Sequence, residues 1–110
     1  MKKIHIAISV NNIAATVDDY TLRLGVEPVI VIDDEYALWR TDNLNLSIRY
    51  DKNCKSGALR HLGFEDPAAN QFSTSIDVND ILWEHFNAHQ QQEEINHTWP
   101  QANYQATDSI

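Results

Sequence analysis

The segment Lys3–Val10 constrains the fold most, because its side chains alternate between two chemical types. One face carries β-branched apolar residues, and the other carries His5 between small residues, with Ala7 and Ser9 beside it. A period of two predicts a half-buried β-strand whose apolar face packs against another element. The opposite face leaves space next to the imidazole. The apolar positions are Ile4, Ile6, Ile8 and Val10.

The following residues predict a helix and three further strands. Asn12 and Gly25 are residues typical of a helix N-cap and C-cap, and the apolar stripe between them predicts packing on the isoleucine face. Strands are predicted at 29–32, 36–40 and 44–50. The polar face of the last strand is expected to lie beside His5, and its members are Asn45, Ser47 and Arg49.

The second half of the chain starts with a similar strand, 58–64, which places His61 between apolar residues. A short strand is predicted at 72–76. Asp77 then predicts the start of a helix to about Gln91, because apolar residues and histidines follow at helical spacing. Segment 93–99 predicts one more strand, and the polar tail 101–110 is expected to be partly disordered.

Length and composition narrow the class of protein. The 110 residues predict one domain, and a hydrophobic content of 43% is enough to build a core. A net charge of −8 argues against nucleic-acid binding, because an acidic surface repels phosphate backbones. Cys54 is the one cysteine, no apolar run reaches membrane-spanning length, and the chain opens directly into a strand. We therefore expect a cytoplasmic protein without a signal peptide.

Three other candidate functional groups also have an ordinary structural explanation or little support. His85 and His89 are four residues apart, but the order of Glu84 and the histidines is not that of a zinc helix, so a helix flank is the better interpretation. Arg49 could bind a substrate carboxylate or phosphate, although an ion pair with a neighbouring aspartate is favoured. Glu65, just after the second histidine strand, is only a guess for a general base.

The βαβββ order of the first half, the opening residues 4–7 (IHIA) and the later stretch 57–65 (GALRHLGFE) resemble the vicinal oxygen chelate superfamily. That group includes glyoxalase I, fosfomycin-resistance enzymes, extradiol dioxygenases and bleomycin-resistance proteins. The resemblance covers residues 3–50 and the surroundings of His61. It implies one complete module at 1–51, a shortened second module at 57–100, and a tail at 101–110.

In metal-dependent members of this superfamily, the first strand of each module supplies a histidine. The resemblance therefore implies that His5 and His61 hold a divalent metal such as zinc, nickel, manganese or iron. Further ligands usually come from the last strand of a module. That strand is not recognisable in the second half, so the expected glutamate would lie beyond Ile110. Two imidazoles alone predict weak or substoichiometric metal binding, because catalytic zinc normally has three protein ligands.

These expectations combine into an α+β protein with a cupped mixed sheet, helices on its outer face, and a cavity between the modules. The leading function is binding or chemistry on a small molecule there, of lyase, isomerase or dioxygenase type if enzymatic. The metal would be held by His5 and His61, and the substrate would contact Arg49, Ser47 and Asn45. The alternatives are a metal-free binder that sequesters its ligand, and a non-catalytic interaction protein.

The shortened module also predicts an unpaired sheet edge. Exposed edges invite pairing with another chain, and twofold dimers are the commonest assembly. We therefore expect a homodimer that buries some of Trp83, Phe86 and Trp99.

Overall fold

The computed structural model describes residues 1–107 and shows an α+β fold with one seven-stranded mixed sheet and two helices. This confirms the predicted fold class. The elements are β1 (Lys3–Val10), α1 (Ile13–Leu24), β2 (Ile30–Ile32), β3 (Tyr36–Arg40), β4 (Leu44–Tyr50), β5 (Ala58–Glu65), β6 (Ser73–Ile76), β7 (Leu82–Phe86), α2 (Ala88–Thr98) and a 3₁₀ turn at Pro100–Ala102. The strands lie in the order β2-β3-β4-β1-β5-β7-β6. No helix in this part of the chain is long and apolar enough to cross a membrane.

The first half-sheet follows the sequence pattern closely. β1 pairs in parallel with β4, and β4 continues into the antiparallel strands β3 and β2. The Asn12 side chain accepts a hydrogen bond from the Ala15 amide, and Gly25 ends the helix in the left-handed conformation. α1 packs Val17 and its stripe on the apolar side of the sheet, mainly over β3 and β4, and shares one cluster with Ile6 and Ile8 of β1. We call this side the outer face. The side of the sheet that bears His5 is the inner face.

The second half-sheet joins the first through β5, which lies antiparallel to β1. β7 pairs in parallel with β5 and antiparallel to β6, so β5-β7-β6 resembles β1-β4-β3 in strand direction. The predicted helix from Asp77 to Gln91 is therefore wrong over Leu82–Phe86. Pairing on both sides outweighs the helical spacing of a short apolar run. The second half of the chain thus contains, as β7, a strand that the sequence pattern did not predict.

α2 starts later than predicted and lies on the inner face. Asn87 and Gln90 form a capping box at its start, and Ile95 packs against Tyr36 and Leu38 of β3. The strand expected at 93–99 is thus a helix through Thr98. The expectation of helices on the outer face holds for α1 and is wrong for α2, because α2 covers the inner surface of β3 and β4.

The polar tail contributes to the fold as far as it is described. The Tyr104 side chain is buried against the Tyr36 and Leu38 cluster, and the Tyr104 amide donates to Asn96. Tyr104 and its neighbours are packed because they complete an apolar cluster, and the partial disorder expected for 101–110 stays untested. Residues 108–110 lie outside the described part of the chain.

Candidate functional site

His5 lies at the middle of the inner face with its side chain almost completely buried. Its Nδ1 atom is 2.8 Å from the Asn45 side-chain oxygen and 3.1 Å from the Asn45 carbonyl oxygen. Both partners are acceptors, so Nδ1 carries the proton and donates it. The Nε2 atom consequently presents a lone pair to the interior of the protein. This is the tautomer that a metal ion or another donor requires.

The orientation of the Asn45 amide follows from its other contacts. Its nitrogen donates to Glu65 Oε1 at 2.8 Å and to the Gln91 oxygen at 2.8 Å. An ionised carboxylate can only accept, so the amide oxygen must face His5. Glu65 is itself held by two hydrogen bonds from Arg40 at 2.9 and 2.8 Å. A buried chain from Arg40 through Glu65 and Asn45 therefore determines the tautomer of His5.

Two residues on neighbouring strands converge on the same Nε2 atom. His61 of β5 places its Nε2 2.9 Å from that of His5. Glu84 of β7 places Oε1 2.9 Å from His61 Nε2 and 3.9 Å from His5 Nε2. The side chains of His61 and Glu84 are 12% and 15% exposed, so the cluster is only partly open to solvent. We call these three residues the His/Glu cluster.

The cluster fits a divalent metal ion. The circle through its three donor atoms has a radius of about 2 Å, close to the metal–ligand distances of ~2.0–2.2 Å found for imidazole and carboxylate. Two imidazoles and one carboxylate are also a ligand set used by zinc and non-haem iron sites. Burial lowers the pKa of His5, with the neighbouring His61 acting in the same direction, so His5 is neutral at pH 7 and available as a ligand.

Sequence reasoning missed Glu84 because it assigned β7 to a helix. The usable signal was the alternation of Leu82, Glu84 and Phe86, which all line the cavity. Trp83 and His85 point to the other side, where His85 binds Asp66 at 2.8 Å. His85 and His89 therefore do not share a helix face, and the expectation that they flank one is wrong.

The His/Glu cluster forms one wall of a cavity of about 230 Å³ between the inner face and α2. This is below the ~300–1,000 Å³ typical of sites for drug-sized ligands, so the space suits a small molecule. Burial raises the pKa of Tyr36, which keeps its hydroxyl protonated. Burial and the charge of Glu84 raise the pKa of Glu94. The lining side chains include His5, Tyr36, Ser47, Arg49, Arg60, His61, Phe72, Leu82, Glu84, Phe86, Gln91, Glu94, Ile95, Thr98 and Trp99.

The three residues predicted to contact a substrate separate into two groups. Ser47 and Arg49 line the cavity. Asn45 is completely buried behind His5 with both ends of its amide engaged, so it orients the imidazole and has no group left for a ligand. Glu65, the guess for a general base, is likewise committed to Arg40 and Asn45.

Among residues 1–107, Arg49 has no carboxylate partner within 4.0 Å, so the ion pair that we favoured is absent from this part of the chain. Its guanidinium carbon lies 5.2 Å from the centroid of the Trp99 ring, a cation–π contact at the cavity wall. The end of α2 supplies Trp99 and thereby holds this arginine on the inner face. Arg49 therefore remains a candidate for contact with a ligand.

Comparison with known proteins leaves the family of this chain unassigned. No protein-family model matches the chain, and no curated protein matches it significantly. The crystal structure of an NAD-dependent benzaldehyde dehydrogenase from Legionella pneumophila is similar, with a TM-score of 0.54 and 13% sequence identity. The match covers 76% of this chain and 97% of that chain. At this level of identity the likeness concerns the fold alone.

Proposed function

We propose that this chain is a member of the vicinal oxygen chelate superfamily that binds or transforms a small molecule beside a divalent metal. The metal would be held by His5, His61 and Glu84. The observation that carries the proposal is the convergence of these donor atoms at 2.9, 2.9 and 3.9 Å from one another. His5 on β1 and His61 on β5 are the two ligands that the resemblance implies. Glu84 on β7 supplies a carboxylate within the chain, whereas the resemblance had implied one beyond Ile110.

The electrostatics of the cluster support a cation at its centre. His5 Nε2 offers a lone pair, Glu84 offers a carboxylate oxygen, and both face His61 Nε2. Three acceptor atoms this close repel one another unless a proton or a metal ion lies between them. A divalent ion there would supply Lewis-acid polarisation of substrate oxygens. The protein supplies the fixed tautomer of His5, the carboxylate, and a partly enclosed cavity.

Calorimetric titration with Zn²⁺, Ni²⁺, Mn²⁺ and Fe²⁺ tests this proposal. With Glu84 as a third ligand, we expect one equivalent of metal per chain in place of the weak binding predicted for two imidazoles. His61→Ala and Glu84→Gln should each weaken binding at least tenfold, because second-shell losses alone cost about 10–100-fold. The matched control is Glu93→Gln, since Glu93 pairs with His89 at 3.2 Å on the exposed side of α2.

Two outcomes would contradict the metal proposal. Equal binding by wild type, His61→Ala and Glu84→Gln would place the metal elsewhere. An absence of binding by the wild-type protein would favour the alternative, a metal-free binder. The same distances suit that alternative, because His61 protonated on Nε2 would donate to His5 and Glu84, each 2.9 Å away.

The oligomeric state and the cellular compartment of the protein are proposals as well. We propose a homodimer through the edge strand β6, which has one neighbour in the sheet. Phe86 is buried within the chain and so is removed from the expected interface, whereas Trp83 remains partly exposed. Sedimentation equilibrium that finds only monomer at micromolar concentration would refute the dimer. We also propose a cytoplasmic setting, which the single cysteine supports.

A further inference from the structure

We propose that Arg49 and Arg60 form an oxyanion-binding subsite beside the His/Glu cluster, so that the ligand of this cavity carries a carboxylate or phosphoryl group. This inference rests on the proposed function, because it assumes that the cavity binds a small molecule. It adds the chemical class of that molecule and a residue, Arg60, that the sequence did not single out.

A β-bulge delivers Arg60 to the cavity. In the β1–β5 pairing, Ala7 lies opposite His61, and the next residue, Ile8, lies opposite Leu59. Arg60 is therefore an extra residue without a partner on β1. In a regular strand, consecutive residues point to opposite faces. Here both Arg60 and His61 line the cavity. Re-aiming a side chain next to a site is a common use of a bulge.

The two cavity arginines differ from the other two arginines of the chain. Arg23 pairs with Asp19 at 3.0 Å, and Arg40 pairs with Glu65 at 2.8 Å. Within residues 1–107, neither Arg49 nor Arg60 has a carboxylate oxygen within 4.0 Å. This is unexpected in a chain with sixteen acidic and eight basic residues. Two guanidinium groups that face one small cavity and form no direct ion pair are suited to an oxyanion, which each can bind in a bidentate manner.

The strand register places the two arginines on either side of β1. Ser9 lies opposite Arg49 on β4 and opposite Ala58 on β5, two residues before Arg60. The side chain between the two arginines is thus the small Ser9, which does not block their approach to a common ligand. Contact with Trp99 restricts Arg49 and lowers the entropy lost when it binds a ligand.

Charge in the cavity is balanced without a ligand. Arg49 and Arg60 face the carboxylates of Glu84 and Glu94 across the same space. A divalent cation on the His/Glu cluster would make the cavity net positive and strengthen its attraction for an anion. The small volume of the cavity further restricts the ligand to a compact anion.

Nuclear magnetic resonance of the arginine Nε–H groups tests the proposal directly, because the chain contains only four arginines. Inorganic phosphate and sodium acetate serve as separate probes, with chloride as the ionic-strength control. We expect saturable shifts of the Arg49 and Arg60 signals with one dissociation constant. The ion-paired Arg23 and Arg40 serve as internal controls and should not respond. Tighter binding of phosphate would identify a phosphoryl ligand, and tighter binding of acetate a carboxylate.

Substitutions separate the two arginines from general charge effects. Arg60→Gln and Arg49→Gln should each weaken probe binding about tenfold, the effect of losing one charge-assisted hydrogen bond. Arg60→Lys keeps the charge but lacks the planar guanidinium that binds in a bidentate manner, so it should bind the probe more tightly than Arg60→Gln and less tightly than the wild type. Arg23→Gln is the matched control and should leave binding unchanged.

The titration is carried out on metal-free protein and again with one equivalent of Zn²⁺, which separates the subsite from the metal site. Saturable binding to metal-free protein would support the arginine subsite even if no metal binds. Linear, parallel shifts of all four arginine signals, or no shift under either condition, would overturn it even if the metal titration succeeds. Equal affinity in wild type and Arg60→Gln would overturn it as well.

Discussion

The buried pair of Arg40 and Glu65 should be the most sensitive electrostatic element of the fold. Its side chains are 2% and 6% exposed, and two hydrogen bonds join the guanidinium to the carboxylate. Glu65→Gln removes the negative charge and leaves the Arg40 cation buried without compensation. Breaking such a pair costs about 3–5 kcal/mol. Against a typical domain stability of about 5–15 kcal/mol, this is a large fraction.

Urea denaturation and thermal melting measure this effect. We expect Glu65→Gln to lower the melting temperature by roughly 12–20 °C, at about 4 °C per kcal/mol for a domain of this size. The matched control is Asp19→Asn, which breaks the pair with Arg23 whose side chains are 73% and 54% exposed. That change should cost less than about 1 kcal/mol. Equal denaturation midpoints for the two variants would refute the reasoning that burial sets the strength of the pair.

Three further outcomes are expected. Burial lowers the pKa of His5 in the folded state, whereas in the unfolded state it is about 6.5, so the unfolded state binds more protons below that pH. The free energy of unfolding should therefore fall as the pH falls, by at most about 1.4 kcal/mol per pH unit. His5→Gln should flatten this dependence between pH 7 and 5 in urea denaturation. Val17→Asp, on the packed stripe of α1, should cost several kcal/mol, and the off-stripe Asp18→Ala less than about 1 kcal/mol, so similar midpoints would show a misassigned face. Gly63→Ala would drive a methyl group into the Glu84 carbonyl of β7, so it should lower both the melting temperature and metal affinity in calorimetry.

The first half of the chain was predictable because its local signals agree. The alternation over Lys3–Val10 and Leu44–Tyr50, together with the caps at Asn12 and Gly25, predicts the elements that the structure contains. Each signal is short-range, and each is reinforced by the apolar face of its neighbour. The matched histidines were found in the same way, since both lie on alternating strands.

The second half was predicted poorly because its decisive interactions are long-range. Leu82–Phe86 is compatible with both periodicities, and only its pairing with β5 and β6 selects a strand. The residues Asn87 and Gln90 carried a capping-box signal that marks the true start of α2. Asn45 could not be identified as a partner of His5, because its role depends on Glu65 and Gln91, which approach from distant parts of the chain.

The His/Glu cluster is built on three adjacent strands, with β5 between β1 and β7. None of its members lies on a loop, so the cluster comes apart only when the centre of the sheet opens. Amide exchange at these strands should therefore report global unfolding rather than local opening. A ligand bound to the cluster would stabilise the whole domain by mass action, by about 2.7 kcal/mol at one hundred times its dissociation constant. Occupancy of this site and the lifetime of the folded chain are thus coupled.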